Sequence, residues 1–309
     1  MSGPLLHVVA TILTILVVAS LAGFVLERRA KDEKAIATVR NLNARTRSWW
    51  VMVAVLGGAI WAGATTTILL FALLSFTALR EFWTLTSARR GDQLALFLSF
   101  FVVLPIHYAL LLDEWYGLMS IFIPVYAFLI LPALSTLSGD AKEFLARSAK
   151  VQWGLMLCVY AVSHAPALLL LETSVDSRLL LVYLVVVVQL SDVFQYVWGK
   201  LIGKRRFSPN ISPSKTLEGL IGGGLTAILI GVLLHGLTPF TPLQAAGVSA
   251  VIVTAGFFGG FVLSAIKRDL GAKDWGYVIE GHGGVLDRID SLTFAAPLFF
   301  HIVRYFWAA

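Results

Sequence analysis

From residue 5 to residue 308 the chain alternates between long apolar runs and short clusters of charge. A helix needs roughly 20 consecutive apolar residues to cross a bilayer. Runs approaching or exceeding that length lie near 5–26, 49–63, 64–80, 93–112, 118–137, 151–171, 179–199, 217–237, 243–265 and 291–308. Charged residues make up only 14% of the chain, against about 25% in soluble domains. That deficit excludes a soluble globular enzyme, a disordered chain and a nucleic-acid-binding domain. The pattern predicts an all-α polytopic membrane protein of about ten transmembrane helices. A single cysteine, Cys158, excludes an internal disulfide framework and an all-cysteine metal site.

The stretch 49–80 decides the topology. Its 32 residues would form a helix of roughly 48 Å, long for one span and tight for two. Positive charge favours the inner side of a membrane, and one span more or less inverts everything downstream. With two spans, 22 of the 24 Lys and Arg fall inside, leaving only Arg178 and Arg304 outside. With one span, most of them fall outside. The two-span reading places the N-terminus outside and the basic loops in the cytoplasm, with Gly57, Gly58 and Gly63 as places to bend. The first run lacks a basic leader, so a retained anchor is expected rather than a cleaved signal. The basic segment 27–48 reads as an inner loop held near anionic headgroups.

Ionisable residues inside a membrane segment call for a functional hypothesis. Asp192 is the clearest, in a polar stripe with Gln189, Ser191 and Gln195; an interhelical hydrogen bond, which Gln189 alone could supply, is the plainer role. A basic loop follows, running through Lys200, Lys204, Arg205 and Arg206 to Ser212-Pro213-Ser214-Lys215-Thr216. Cationic side chains beside a helix start suit a phosphate-rich ligand. Thr216 or Ser214 is placed to cap the next helix, with Gly222, Gly223 and Gly224 allowing close approach. The spacing is not that of a Walker A loop. His107, His164, His235 and His301 stand alone on apolar runs and read as hydrogen-bonded core residues.

A second constellation is denser. Lys267, Arg268, Lys273 and Asp274 lead into Gly281-His282-Gly283-Gly284, then Asp287, Arg288 and Asp290. Asp287 and Asp290, three apart, share a helical face. Two carboxylates that close repel unless a cation lies beside them, and Mg2+ prefers such ligands, completed by water and substrate phosphates.

These strings resemble the phosphatidate cytidylyltransferase (CDP-diacylglycerol synthase) family. The carrying residues are Ser264-x-x-Lys267-Arg268-x-x-x-x-Lys273-Asp274-x-Gly276 and Gly281-His282-Gly283-Gly284-x-x-Asp287-Arg288-x-Asp290, with Asp192-x-x-x-Tyr196-x-x-Gly199-Lys200 and Ser212-Pro213-x-Lys215-Thr216-x-Glu218-Gly219 upstream. Phe194-Gln195, Trp275 and Glu280 depart from common family residues and resemble a bacterial side branch. The resemblance implies an Mg2+-dependent reaction of CTP with phosphatidic acid at the inner (plasma) membrane. It implies Asp192, Asp274, Asp287 and Asp290 around the metal. Lys267, Arg268, Lys273 and Arg288 would meet phosphates, and Ser212, Lys215, Thr216, Gly281, His282, Gly283 and Gly284 would bind substrate. The chain then divides into an N-terminal bundle, 1–178, and a catalytic region, 179–309; membrane lipid is its surroundings, and a homodimer is compatible with it. The rivals are a CTP-dependent polyprenol or phytol kinase and a transporter. CDP-alcohol phosphotransferases are disfavoured because Asp-Gly-x-x-Ala-Arg is absent.

Overall fold

A computed structural model of the chain describes residues 3–29, 32–86, 89–277 and 283–308. Those residues form α1 (Gly3–Arg29), α2 (Glu33–Ala62), α3 (Ala64–Leu85), α4 (Arg90–Leu112), α5 (Tyr116–Thr136), α6 (Phe144–Leu170), α7 (Ser177–Leu201), α8 (Leu217–Leu233), α9 (Pro242–Asp269) and α10 (Leu286–Trp307). Seven of them are long and apolar enough to cross a membrane, which makes this a multi-pass membrane protein. α8 is apolar but has 17 residues. The first half of α2 is charged, and Asp290, His301 and Arg304 dilute α10.

The chain breaks at Gly63, whose φ of +116° a residue with a side chain rarely adopts. Segment 27–48, expected to be a loop, is mostly helical, because α2 begins at Glu33; its Ala, Arg and Leu residues are good helix formers. The expectation of a purely helical chain also needs amending. Arg206–Ser208 (β1) and Ser212–Thr216 (β2) pair antiparallel, with Arg206 opposite Thr216 and Ser208 opposite Ser212.

α6 is the centre of the molecule: 72% of its most apolar window is buried, against 11% for α1. It packs against α3, α4 and α10, while α7, α8, α9 and α10 pack on one another. Wider helical turns at Ser99–Val103 and Phe122–Ala127 accompany Pro105 and Pro124, whose rings cannot fit a regular ladder. The four histidines are hydrogen-bonded within the bundle as expected: His107 to Ser163 Oγ, His164 to Tyr160 O, His235 to Val232 O and His301 to the Tyr116 hydroxyl.

Small residues set the close crossings, as is common where lipid removes the hydrophobic drive between helices. A Cβ at Gly223 of α8 would overlap the backbone of Gln195 in α7, and one at Gly259 of α9 would sit 2.8 Å from the carbonyl of Asp290 in α10. At the α5–α6 connection, buried Arg147 pairs with Asp92 at 2.9 Å and Asp140 at 2.8 Å. The backbone N–H of Lys142 and then the charges of Arg147 and Arg89 hold the Asp140 carboxyl below its usual range.

Candidate active site

The start of α10 is held from three directions. Asp287 Oδ1 accepts from Lys267 Nζ at 2.7 Å. Its Oδ2 accepts from the backbone N–H of Trp275 at 2.8 Å and of Gly284 at 2.9 Å. Gly283 turns at φ +81°, where a side chain would be strained and would meet Asp287. The next two amides, Val285 and Leu286, donate to the two oxygens of Glu81 at 2.9 and 2.8 Å. Glu81 comes from α3 and is 3% exposed. The neighbouring Phe82 stacks on Trp275, ring centroids 5.4 Å apart.

One turn further along α10 a different carboxylate pair forms. The Ser291 hydroxyl donates to Asp192 Oδ2 at 2.7 Å and lies 3.4 Å from Asp290 Oδ1, which also accepts the Ser291 N–H at 2.7 Å. Both aspartates are half-buried. Lys215 and Arg288 act electrostatically on both. Gly260 leaves the room: a Cβ there would lie 3.3 Å from Ser291 Oγ, 3.4 Å from Lys215 Nζ and 3.5 Å from Asp290 Oδ2. Lys215 Nζ also stands 4.6 Å from the centre of the Phe257 ring. Among the described residues, Asp192 Oδ1 and Asp290 Oδ2 accept no hydrogen bond, and Arg288 Nε has no partner. Gln189 forms an interhelical bond as well, donating to Arg288 O at 3.4 Å.

The hairpin between α7 and α8 is tied down locally. Thr216 caps α8, its Oγ1 accepting from Gly219 N–H at 3.1 Å. Gly199, Gly203 and Gly219 crowd that same hydroxyl, each leaving 3.1 Å or less for a Cβ. Glu218 accepts from the backbone N–H groups of Lys204 and Arg205 at 3.0 to 3.2 Å. Arg268, exposed at the end of α9, donates to Ile211 O and Ala272 O. Ser212 is buried in β2.

The sequence-derived set is therefore divided. Asp192 and Asp290 come together, with Lys215 and Arg288 beside them. Asp287 is bound to Lys267 and backbone amides, and Asp274 lies next to Gly283. Lys273 is exposed. Among the described residues no three acidic, histidine or cysteine side chains gather as a metal-holding group. Gly281 and His282 lie outside the described residues. Sequence reasoning missed Glu81, Ser291, Gly260 and the Glu218 clamp. Glu81 carried little signal, standing beside Arg80 just past the end of the run 64–80.

The Lys267–Asp287 pair has a measurable cost of removal. Leaving one partner of a buried pair alone is strongly destabilising. Lys267→Met is expected to lower stability by about 3 kcal/mol, the lower end of that range, because two amides still hold Asp287. Equilibrium unfolding in detergent measures it, and a wild-type transition would show that the pair carries no net stability.

The chain is 40% identical over 300 residues to the uncharacterized protein YnbB of Escherichia coli (strain K12), covering 96% of this chain and 97% of that one. It is 31% identical over 193 residues to the phosphatidate cytidylyltransferase of Staphylococcus aureus (strain COL), covering 59% of this chain and 74% of that one. The phosphatidate cytidylyltransferase of Aquifex aeolicus (strain VF5) is 42% identical over 115 residues, covering 37% and 43%. The family model matches residues 43–306, from α2 through the last helix, so the chain belongs to the cytidylyltransferase family.

Proposed function

We propose that the protein transfers the cytidylyl group of CTP to phosphatidic acid, giving CDP-diacylglycerol and pyrophosphate. The observation that carries this reading is the Asp192–Ser291–Asp290 unit, with Lys215 and Arg288 acting on both carboxylates. The names of the Staphylococcus and Aquifex relatives support it. A phosphate oxygen of phosphatidate attacks the α-phosphorus of CTP. The bond from that phosphorus to the bridging oxygen breaks, and pyrophosphate departs with the electron pair. The nucleophile is already anionic, so no strong general base is required. What the protein must supply is placement of two mutually repelling anions and neutralisation of their charge.

The donor set fits Mg2+. The free oxygens of Asp192 and Asp290, on two carboxylates, offer hard ligands while leaving positions for water and phosphate, as this ion prefers. When bound, Mg2+ would offset phosphate charge and polarise the α-phosphoryl group. Lys215 and Arg288 would bind the phosphates of CTP and of the lipid head. Ser291 keeps the two aspartates in register. Ser212 and Thr216 flank Lys215 in the tied hairpin, where all three would contact substrate, and Gly281 and His282 are further candidate substrate contacts. The charge bias of the loops supports ten spans with the N-terminus outside and the site facing the cytoplasm of the plasma membrane, where CTP is found.

The test is to incubate purified protein with α-labelled CTP, phosphatidate and Mg2+ and follow label into the organic phase. Lipid-bound α-label and free pyrophosphate are the expected products. Transfer of γ-label to an isoprenoid alcohol, with no α-label in phosphatidate, would instead identify a lipid kinase.

A further inference from the structure

We propose that Glu81, on α3 in the first third of the chain, is a positioning residue for the site: it fixes the backbone from which Asp290 and Arg288 project. Its carboxylate is 3% exposed and, among the described residues, has no ion-pair partner. What compensates its charge is the N-terminus of α10. Val285 and Leu286 N–H donate to separate oxygens at 2.9 and 2.8 Å, so both oxygens are used and the helix dipole is opposed at its positive end. Gly284 N–H is meanwhile taken by Asp287. These amides therefore cannot receive a substrate phosphate, although a helix start is otherwise a ready anion site. Phosphate recognition falls to Lys215 and Arg288 instead.

Two glycines are shaped around this carboxylate. A Cβ at Gly284 would overlap Glu81, and one at Gly276 would lie 2.9 Å from Oε1 and 3.1 Å from the carboxyl carbon. Phe82, next in the chain, stacks on Trp275, whose own N–H holds Asp287. Two consecutive residues of α3 thus grip both ends of the segment that enters α10. This explains glycines in the Gly276 and Gly284 positions by contact with a group some 200 residues away (Leu286 and Glu81 are 205 apart). The catalytic consequence rests on the cytidylyltransfer reading, but the structural role does not.

The test joins an exchange measurement to turnover. In Glu81→Gln the carboxamide NH2 faces a backbone N–H, so one of the two amides loses its acceptor. Hydrogen exchange at 284–290 is expected to accelerate about tenfold while α7 and α9 keep their protection. Turnover of α-labelled CTP is expected to fall about 10²-fold, the scale of a roughly 1 Å misplacement, with KM for CTP within about threefold. Gly276→Ala, which displaces the carboxylate while retaining its charge, is expected to give the same local acceleration. Unchanged exchange at 284–290 in both variants overturns the proposal. So does uniform acceleration across the chain, which would make Glu81 a general stability residue, or wild-type turnover despite local loosening. If the wild-type protein transfers no label, the reaction assignment fails, and the exchange result still decides whether Glu81 holds α10.

Discussion

Asp290→Asn is expected to abolish cytidylyl transfer, with a fall on the order of 10³-fold or more, in a protein that still purifies as a folded bundle. Removing one preorganised charged or hydrogen-bonding group from a reacting centre costs about 10²–10³-fold, and Asp290 supplies half of the only carboxylate pair that the described residues bring together through Ser291. Asn has the same shape. Its carbonyl can keep accepting the Ser291 N–H that Asp290 Oδ1 accepts at 2.7 Å. What disappears is the charge on Oδ2, the atom that faces Lys215 across Gly260. The measurements are label transfer from CTP and a thermal unfolding curve on the same preparation. Full activity in the variant would remove Asp290 from the site; a collapsed unfolding transition would show that its role is structural.

The second large effect is on packing. Gly223→Ala is expected to destabilise the protein by about 3 kcal/mol, the upper end for an added methyl in a filled core, and to silence it as well. The new Cβ would meet backbone, at Gln195 N and Cα and Phe194 C, so no side-chain rotation relieves the overlap. α7 must move away from α8. Asp192 lies one turn before Gln195 on α7, so the shift pulls its carboxylate from Ser291, 2.7 Å away. Gly236→Ala is the control, because a Cβ there meets nothing within 4 Å. Equal melting temperatures for the two variants would show that the α7–α8 crossing is not limiting.

Much of this was legible in the sequence, for identifiable reasons. The apolar runs mark the helices because a bilayer permits little else. Gly63 breaks the stretch that was too long for one span. Thr216 caps the helix it precedes, and the glycines of α8 lie at a close crossing. Asp192 was visible because a carboxylate in an apolar run is expensive. The division among the acidic residues was not visible. Asp287 and Asp290 do share a face of α10, but the first turn of a helix must satisfy its own free amides, and Asp287 is spent on that and on Lys267. Glu81 was hidden by distance along the chain: its two partners are 204 and 205 residues away. The β1–β2 hairpin was hidden by a loop whose basic residues drew attention to charge rather than to the turn around Pro209 and Asn210.

The crowding of three glycines around one threonine hydroxyl has a consequence for how this protein can diverge. Gly199, Gly203 and Gly219 all approach Thr216 Oγ1, but a Cβ at Gly203 would overlap the Gly199 carbonyl and one at Gly219 would lie 2.6 Å from the Gln195 carbonyl, so a change at Thr216 relieves neither. A smaller residue at 216 should therefore open room at Gly199 alone, while Gly203 and Gly219 stay closed to side chains whatever residue stands at 216.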